Sequence, residues 1–185
     1  MRVIAGTVRG FRLVAPPGDA TRPTLDRVRE TLFNILMPRL EDARFLDLFA
    51  GSGANGIEAL SRGARFAAFV DKSPESIRAI TENLNHTRLT DRAQVLPGDF
   101  LPALQALGRQ EPFDLIFLDP PYQAGLAEAA LKAIVEYRLL APEGWVIWER
   151  SAKMPFVPVA GLTVFREKST RITTMTFMMW EDNLP

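Results

Sequence analysis

Phe45-Leu46-Asp47-Leu48-Phe49-Ala50-Gly51-Ser52-Gly53-Ala54-Asn55-Gly56 is the stretch from which the rest of the chain can be read. Its apolar run, Phe45 to Phe49, is broken only by Asp47, and a glycine-rich turn follows. Residues Asn55 to Ser61 then have the pattern of a helix, so a buried strand, a tight turn and a helix N-terminus come in immediate succession. Glycines let a backbone approach a ligand closely, and a helix start offers free N–H groups. A nucleotide-like cofactor is expected there.

Outward from this unit the chain alternates. Strand 65–71 leads to helix 74–86, strand 93–97 to helix 100–107, and strand 112–118 to helix 125–138. Strand 144–149 is followed by a proline-rich loop, and strands 161–167 and 172–180 form an antiparallel pair. With strand 44–49 and helix 55–62 this predicts an α/β, doubly wound, mainly parallel sheet of seven strands. Before it lie two short strands over residues 2–14, joined through Gly6 to Gly10, and a helix over 22–37. Thr24 can cap that helix, and Leu25, Val28, Leu32, Phe33, Ile35 and Leu36 form its apolar face. The expected division is an extension, 1–40, and a main domain, 41–185.

Composition narrows the function. Apolar residues make up 47% of the 185, enough for a core, and no run has the roughly 20 apolar residues of a membrane helix. No signal peptide is read at Met1, so a soluble, cytoplasmic protein is expected, with a monomer as the default state. The absence of cysteine excludes disulfides, thiolate catalysis and cysteine-ligated metals, and with them pyrimidine C5 methylation through a thiolate adduct. His86, the single histidine, is expected at a helix surface. The net charge is zero but uneven: residues 1–29 hold six arginines against two aspartates, whereas 30–149 hold 11 basic and 17 acidic residues. Residues 150–171 hold five basic residues against Glu167. Basic ends fit an anionic partner, and Arg2, Arg9, Arg12 and Arg22 are the expected contacts; a charged ribbon protecting a sheet edge is the other reading.

In doubly wound sheets ligands bind beyond the carboxyl ends of the strands. Acids recur there: Asp47 in the first strand, Asp71 closing the second, Asp99 after the third, Asp119 after the fourth. Gly51, Gly53 and Gly56 fit a dinucleotide loop, with Asp71 twenty residues past Gly51. A carboxylate at Asp47 would repel a pyrophosphate, but it suits the cationic methionine end of S-adenosylmethionine. Asp71 can accept from two ribose hydroxyls, Asp99 from the adenine amine, and Phe100 can pack on the ring. Phe49 and Lys72, beside these groups, complete the expected cofactor contacts. Asp119-Pro120-Pro121-Tyr122 adds the chemistry. An exocyclic base amine is a poor nucleophile because its lone pair is delocalised. The Asp119 carboxylate and the Pro120 carbonyl can accept both amine hydrogens and localise that pair. Pro121 stiffens the turn, and Tyr122 offers a stacking face. No metal is required.

D-L-F-A-G-S-G with D-P-P-Y resembles the amino-group branch of the S-adenosylmethionine-dependent methyltransferases. R-V-I-A-G-T-V-R-G-F-R-L, R-P-T-L-D-R-V-R-E-T-L-F-N-I-L and L-D-L-F-A-G-S-G-A-N-G-I-E-A-L-S-R-G-A resemble the bacterial 16S ribosomal RNA guanine-N2 methyltransferase family. The resemblance covers nearly the whole chain. It implies a Rossmann-like methyltransferase sheet and a guanine of 16S rRNA, modified within the small subunit or its assembly intermediate. It also places Pro23, Thr24 and Arg27 near the cofactor's methionine end or the target base. Asn55 stands where the family commonly has an apolar residue, and Arg171 where a turn glycine is expected. The residues alone leave other readings open: an amino-methyltransferase acting on adenine or cytosine of DNA or another RNA, an NAD-dependent oxidoreductase, or a non-catalytic RNA-binding protein.

Overall fold

The structure, a computed structural model, describes residues 1–17, 23–121 and 125–183, with the side chains of Pro23, Thr24 and Leu25 left out. Arg22, Tyr122 and the Thr24 side chain, all expected at the site, therefore lie outside what is described. Helix α1 spans Pro23–Leu36. It is followed by β1 (Arg44–Leu48), α2 (Ala54–Ser61), β2 (Phe66–Asp71), α3 (Pro74–Thr87), β3 (Ala93–Pro97), α4 (Phe100–Leu107) and β4 (Phe113–Leu118). The chain closes with α5 (Leu126–Glu136), β5 (Leu140–Ser151), β6 (Leu162–Ser169) and β7 (Thr173–Trp180).

The strands form one seven-stranded sheet in the order β3-β2-β1-β4-β5-β7-β6. All neighbours are parallel up to β5; β7 runs antiparallel to both β5 and β6. Strand alternation sorts side chains onto two faces. Phe45, Phe69, Phe117 and Ile147 pack with α1, α2 and α3, while Leu46, Val70, Ile116 and Trp148 pack with α4 and α5. On α1, Val28, Leu32, Phe33 and Leu36 are buried, as the helical spacing requires. Strand order reverses between β1 and β4, so a crevice opens beyond their carboxyl ends.

Four local expectations are corrected. The N-terminal segment makes one antiparallel bridge, Arg2 to Arg12, rather than two strands. Its N–H groups are drawn elsewhere: Ile4 and Ala5 donate to the Glu58 carboxylate at 2.8 and 3.0 Å, and Thr7 donates to the Ser61 carbonyl at 2.8 Å. This seats the ribbon on α2. Gly6, at φ +86°, lies so close that a Cβ would fall 1.9 Å from the Ser61 carbonyl oxygen. Strand β5 begins at Leu140, because Leu140 pairs with Phe113 before a bulge, and Trp145 resumes the register with Leu115. Helix α5 ends at Glu136, where Arg138 takes a left-handed φ of 50° and Leu139 N–H closes on the Ile134 carbonyl at 3.0 Å. The β6–β7 turn needs no glycine. The Thr170 hydroxyl accepts from the N–H groups of Ile172 and Thr173, and Arg171 is not among the residues of positive φ.

Candidate active site

A cavity of about 490 Å³ fills the crevice at the point where the strand order reverses. The loop after β1 forms one wall. Phe49 begins it in the left-handed region, at φ 65°, a conformation that costs a non-glycine residue about 1 kcal/mol or more. Gly51, at φ 55°, continues the turn without that cost. The Phe49 ring leans on Phe100 from the start of α4, with centroids 5.3 Å apart, and both line the cavity.

The acids divide into two groups. Asp71, Asp99 and Asp119 line the cavity together with Phe49, Gly51, Lys72, Phe100, Pro120 and Pro121. Asp71 also ties two loops together: one carboxylate oxygen accepts from Gly51 N–H and the other from Ser73 N–H, each at 2.8 Å. Each oxygen keeps a lone pair for a ligand. Asp99 caps α4 by accepting from Leu101 N–H at 3.1 Å. Asp119 is exposed at the end of β4 and Pro120 beside it is buried.

Asp47 is different. It is 1% exposed and lies beneath the loop, where its Oδ2 accepts from Gly56 N–H at 2.8 Å. Burial pushes its carboxyl up to about 7, against the lowering effect of the Gly56 hydrogen bond; the nearby Asp71 charge adds to the rise. Neither Asp47 nor Gly53 is among the residues lining the cavity. Gly53 instead starts α2 at φ 75°, and Gly56 packs against Phe69, where a Cβ would meet the ring at 2.2 Å.

The remaining predicted residues lie around the rim or away from it. Arg27 is exposed on α1 and borders a shallower groove with Thr31, Thr170, Arg171 and Ile172; Val28 belongs to both spaces. Arg2, Arg9 and Arg12 are exposed on the N-terminal ribbon, and none lines the cavity. His86 is exposed at the end of α3, its ring 5.2 Å from that of Phe11.

Among the cavity residues that sequence reasoning did not assign to the site, three bear on its chemistry. Met1 lines it, brought there by the seating of the ribbon on α2. Arg29 lines it from α1 while donating to the Arg2 carbonyl at 2.7 Å and to Asp26 at 2.9 Å. Glu149 lines it from β5, two residues before that strand ends at Ser151. The signal for Glu149 was an acid ending an apolar strand, the pattern that marked Asp71 and Asp119. The side chains around the cavity thus include four carboxylates, Asp71, Asp99, Asp119 and Glu149, against Arg29 and Lys72. That balance suits a ligand with positive charge better than a polyphosphate. Among the described residues no three His, Cys, Asp or Glu side chains gather to hold a metal, and no helix is long and apolar enough to cross a membrane.

The sheet order, the glycine loop and the acids at the strand ends define the Rossmann-like methyltransferase fold. Residues 1–179 match the family described as conserved hypothetical protein 95, and the chain belongs to that family. YlbH of Bacillus subtilis is 42% identical over 171 residues, covering 92% of this chain and 93% of that protein. Ribosomal RNA small subunit methyltransferase D of Escherichia coli K12 is 38% identical over 170 residues, covering 91% of this chain and 84% of the relative. The solved structure of the Escherichia coli protein yhhF superposes with a TM-score of 0.84 at 34% identity, covering 98% of both chains.

Proposed function

We propose that this chain transfers a methyl group from S-adenosylmethionine to the exocyclic N2 amine of a guanine in 16S rRNA of the small ribosomal subunit or its assembly intermediate. The observation that carries the reading is one shared cavity: the Phe49–Gly51 loop, Asp71, Asp99 and Phe100 face the same space as Asp119, Pro120 and Pro121. The relatives' rRNA methyltransferase names support the substrate class.

The residues present fit the cofactor. Asp71 retains acceptor capacity for two ribose hydroxyls, Asp99 for the adenine amine, and Phe49 and Phe100 offer apolar faces to the ring. The acidic wall favours the cationic methionine end, with Gly51 in the loop beside it, Lys72 next to the ribose acceptor Asp71, and Thr24 and Arg27 toward the methionine end or the target base. Asp47 contributes from below by bracing the loop through Gly56. When bound, S-adenosylmethionine supplies a methyl on a positively charged sulfur, and the bonding pair returns to that sulfur as the methyl leaves.

The chain's own residues prepare the acceptor. The Asp119 carboxylate and the Pro120 carbonyl take the two N2 hydrogens, so the nitrogen lone pair turns out of conjugation and toward the methyl. N2 gains the methyl and gives up one proton, which the Asp119 carboxylate accepts. Pro121 stiffens the turn and Tyr122 stacks on the base, which must leave its helix or already lie in a loop. Positioning of this kind can remove up to about 7–11 kcal/mol of a barrier.

In this reading residues 1–40 form an extension that covers the cofactor and faces RNA, on a methyltransferase domain at 41–185. Arg2, Arg9, Arg12 and Arg22 meet phosphates, and the protein works as a cytoplasmic monomer without a metal. The exposed arginines of the ribbon and the Met1 contact with the cavity support that division. The test is methyl transfer from labelled S-adenosylmethionine to naked 16S RNA and to whole small subunits, both from cells lacking this protein, with the product nucleoside identified by mass spectrometry. N2-methylguanosine is expected; N6-methyladenosine, or no label in either substrate, overturns the reading.

A further inference from the structure

Glu149 lies in β5 one residue beyond the last register pair with β4, Leu118 to Trp148, which puts it level with Asp119, the residue that follows β4. Both acids line the cavity, as do Phe117 and Pro120. One Glu149 oxygen accepts from the Thr173 hydroxyl at 3.3 Å. Among the described residues its other oxygen, Oε2, meets no donor, and no arginine or lysine pairs with the carboxylate. Burial raises its pKa, and only the Thr173 hydroxyl counters that. A carboxylate kept in a half-buried wall with one oxygen unmet is set up to receive an N–H from a ligand.

Resting on the guanine reading above, the geometry points to Glu149 as the residue that recognises the base, by accepting the guanine N1–H. The guanine edge presents two neighbouring donors, N1–H and N2–H₂. Asp119 and the Pro120 carbonyl hold the N2 hydrogens, and the next acceptor along the wall is Glu149. Adenine and cytosine present a ring nitrogen acceptor beside their amines, at N1 and N3. Opposite Glu149 that lone pair would face a carboxylate, leaving two buried acceptors unpaired. A site of this kind selects guanine by repulsion of the other amino bases as much as by attraction.

The substitution Glu149→Gln separates this role from a structural one, because the amide can donate to a ring nitrogen. The substrates are reconstituted small subunits carrying either guanine or 2,6-diaminopurine at the nucleotide the wild-type protein methylates. Diaminopurine keeps the N2 amine but has an acceptor at N1. Wild type should prefer guanine by roughly 100-fold or more. E149Q should lose roughly 10- to 100-fold in kcat/KM on guanine and lose less, or gain, on diaminopurine, so the preference collapses. Glu149→Asp, which retains the charge but withdraws it, should lose guanine activity and still reject diaminopurine. Binding of S-adenosylhomocysteine by each variant reports that the site is folded. Guanine activity of E149Q within threefold of wild type overturns the assignment, and so does equal loss on both substrates. If wild type makes N2-methylguanosine and E149Q makes it equally well, only the Glu149 role fails; if wild type makes another nucleoside, the guanine reading fails and takes this inference with it.

Discussion

Asp47 Oδ2 holds the Gly56 N–H at 2.8 Å, across the glycine loop and entirely beneath it. A strand carboxylate thereby braces the first turn of α2 and fixes the loop that forms the cavity wall. The sign of its pH effect follows from its burial. With the folded carboxyl pushed up to about 7 and the unfolded one near the ordinary value of 3.8, the folded protein holds a proton that the unfolded chain has released. This stabilising difference is full below the unfolded value and is lost as pH rises through about 7. Asp47→Asn keeps an acceptor for Gly56 and removes the titration. Between pH 5 and pH 8 wild type should therefore lose on the order of 2 kcal/mol relative to D47N, roughly 4–8 °C in Tm. Parallel Tm–pH curves for the two ligand-free proteins would rule this out.

Asp119 and Pro120 stand at the cavity end of β4, exposed and buried respectively. If the carboxylate localises the amine lone pair, Asp119→Ala should lower kcat by about 10²–10⁴. In the proposed arrangement Asp119 holds the base rather than the cofactor's ring or ribose, so the Kd for S-adenosylhomocysteine should stay within about threefold of wild type. Transfer assays on small subunits and calorimetric binding give the two numbers. Unchanged turnover would sink the proposed mechanism.

What could be read from the chain was what repeats along it. The period-2 and period-3.6 patterns placed β3 and α4 to the residue, and acids at strand ends flagged Asp71, Asp99 and Asp119. What could not be read depends on contacts between distant segments. Asp47 was read as a cofactor contact because a carboxylate suits a cationic methionine end; its burial and its bond to Gly56, nine residues on, depend on how the loop folds back over β1. Glu149 acquires its position only once β5 is known to lie beside β4. The N-terminal hairpin was half right: the chain does fold back, with Leu13 N–H on the Met1 carbonyl at 3.1 Å, but Glu58 takes the N–H groups a longer ladder would use.

Glu58 is that ribbon's anchor. It is fully buried, accepts from Ile4, Ala5 and the Arg62 guanidinium at 2.8, 3.0 and 2.7 Å, and has no solvent to replace them. Glu58→Ala leaves the Arg62 charge and two backbone N–H groups uncompensated, which should cost about 3–5 kcal/mol in chemical denaturation. The ribbon should also become cleavable by trypsin at Arg9 and Arg12. Because Met1 lines the cavity, S-adenosylhomocysteine binding should weaken as well. A loss under about 1 kcal/mol with the ribbon still protected would show that the packing of Val3 and Leu13 alone holds it.

Arg9 and Arg12 are exposed on that ribbon, on a segment whose backbone is fixed to α2. Charges held on a fixed backbone are suited to phosphate contact, because little backbone freedom remains to be lost on binding. If each meets one phosphate of the RNA, each adds about 0.7 to the log–log salt slope. The double substitution Arg9→Ala, Arg12→Ala should therefore flatten that slope by roughly 1.4 and weaken binding most at low salt. A solvated ribbon that only shields the fold predicts a different result, an unchanged slope with unchanged affinity. Filter binding of small-subunit RNA between low and physiological salt distinguishes them, and S-adenosylhomocysteine affinity should be the same in both proteins, since neither arginine lines the cavity.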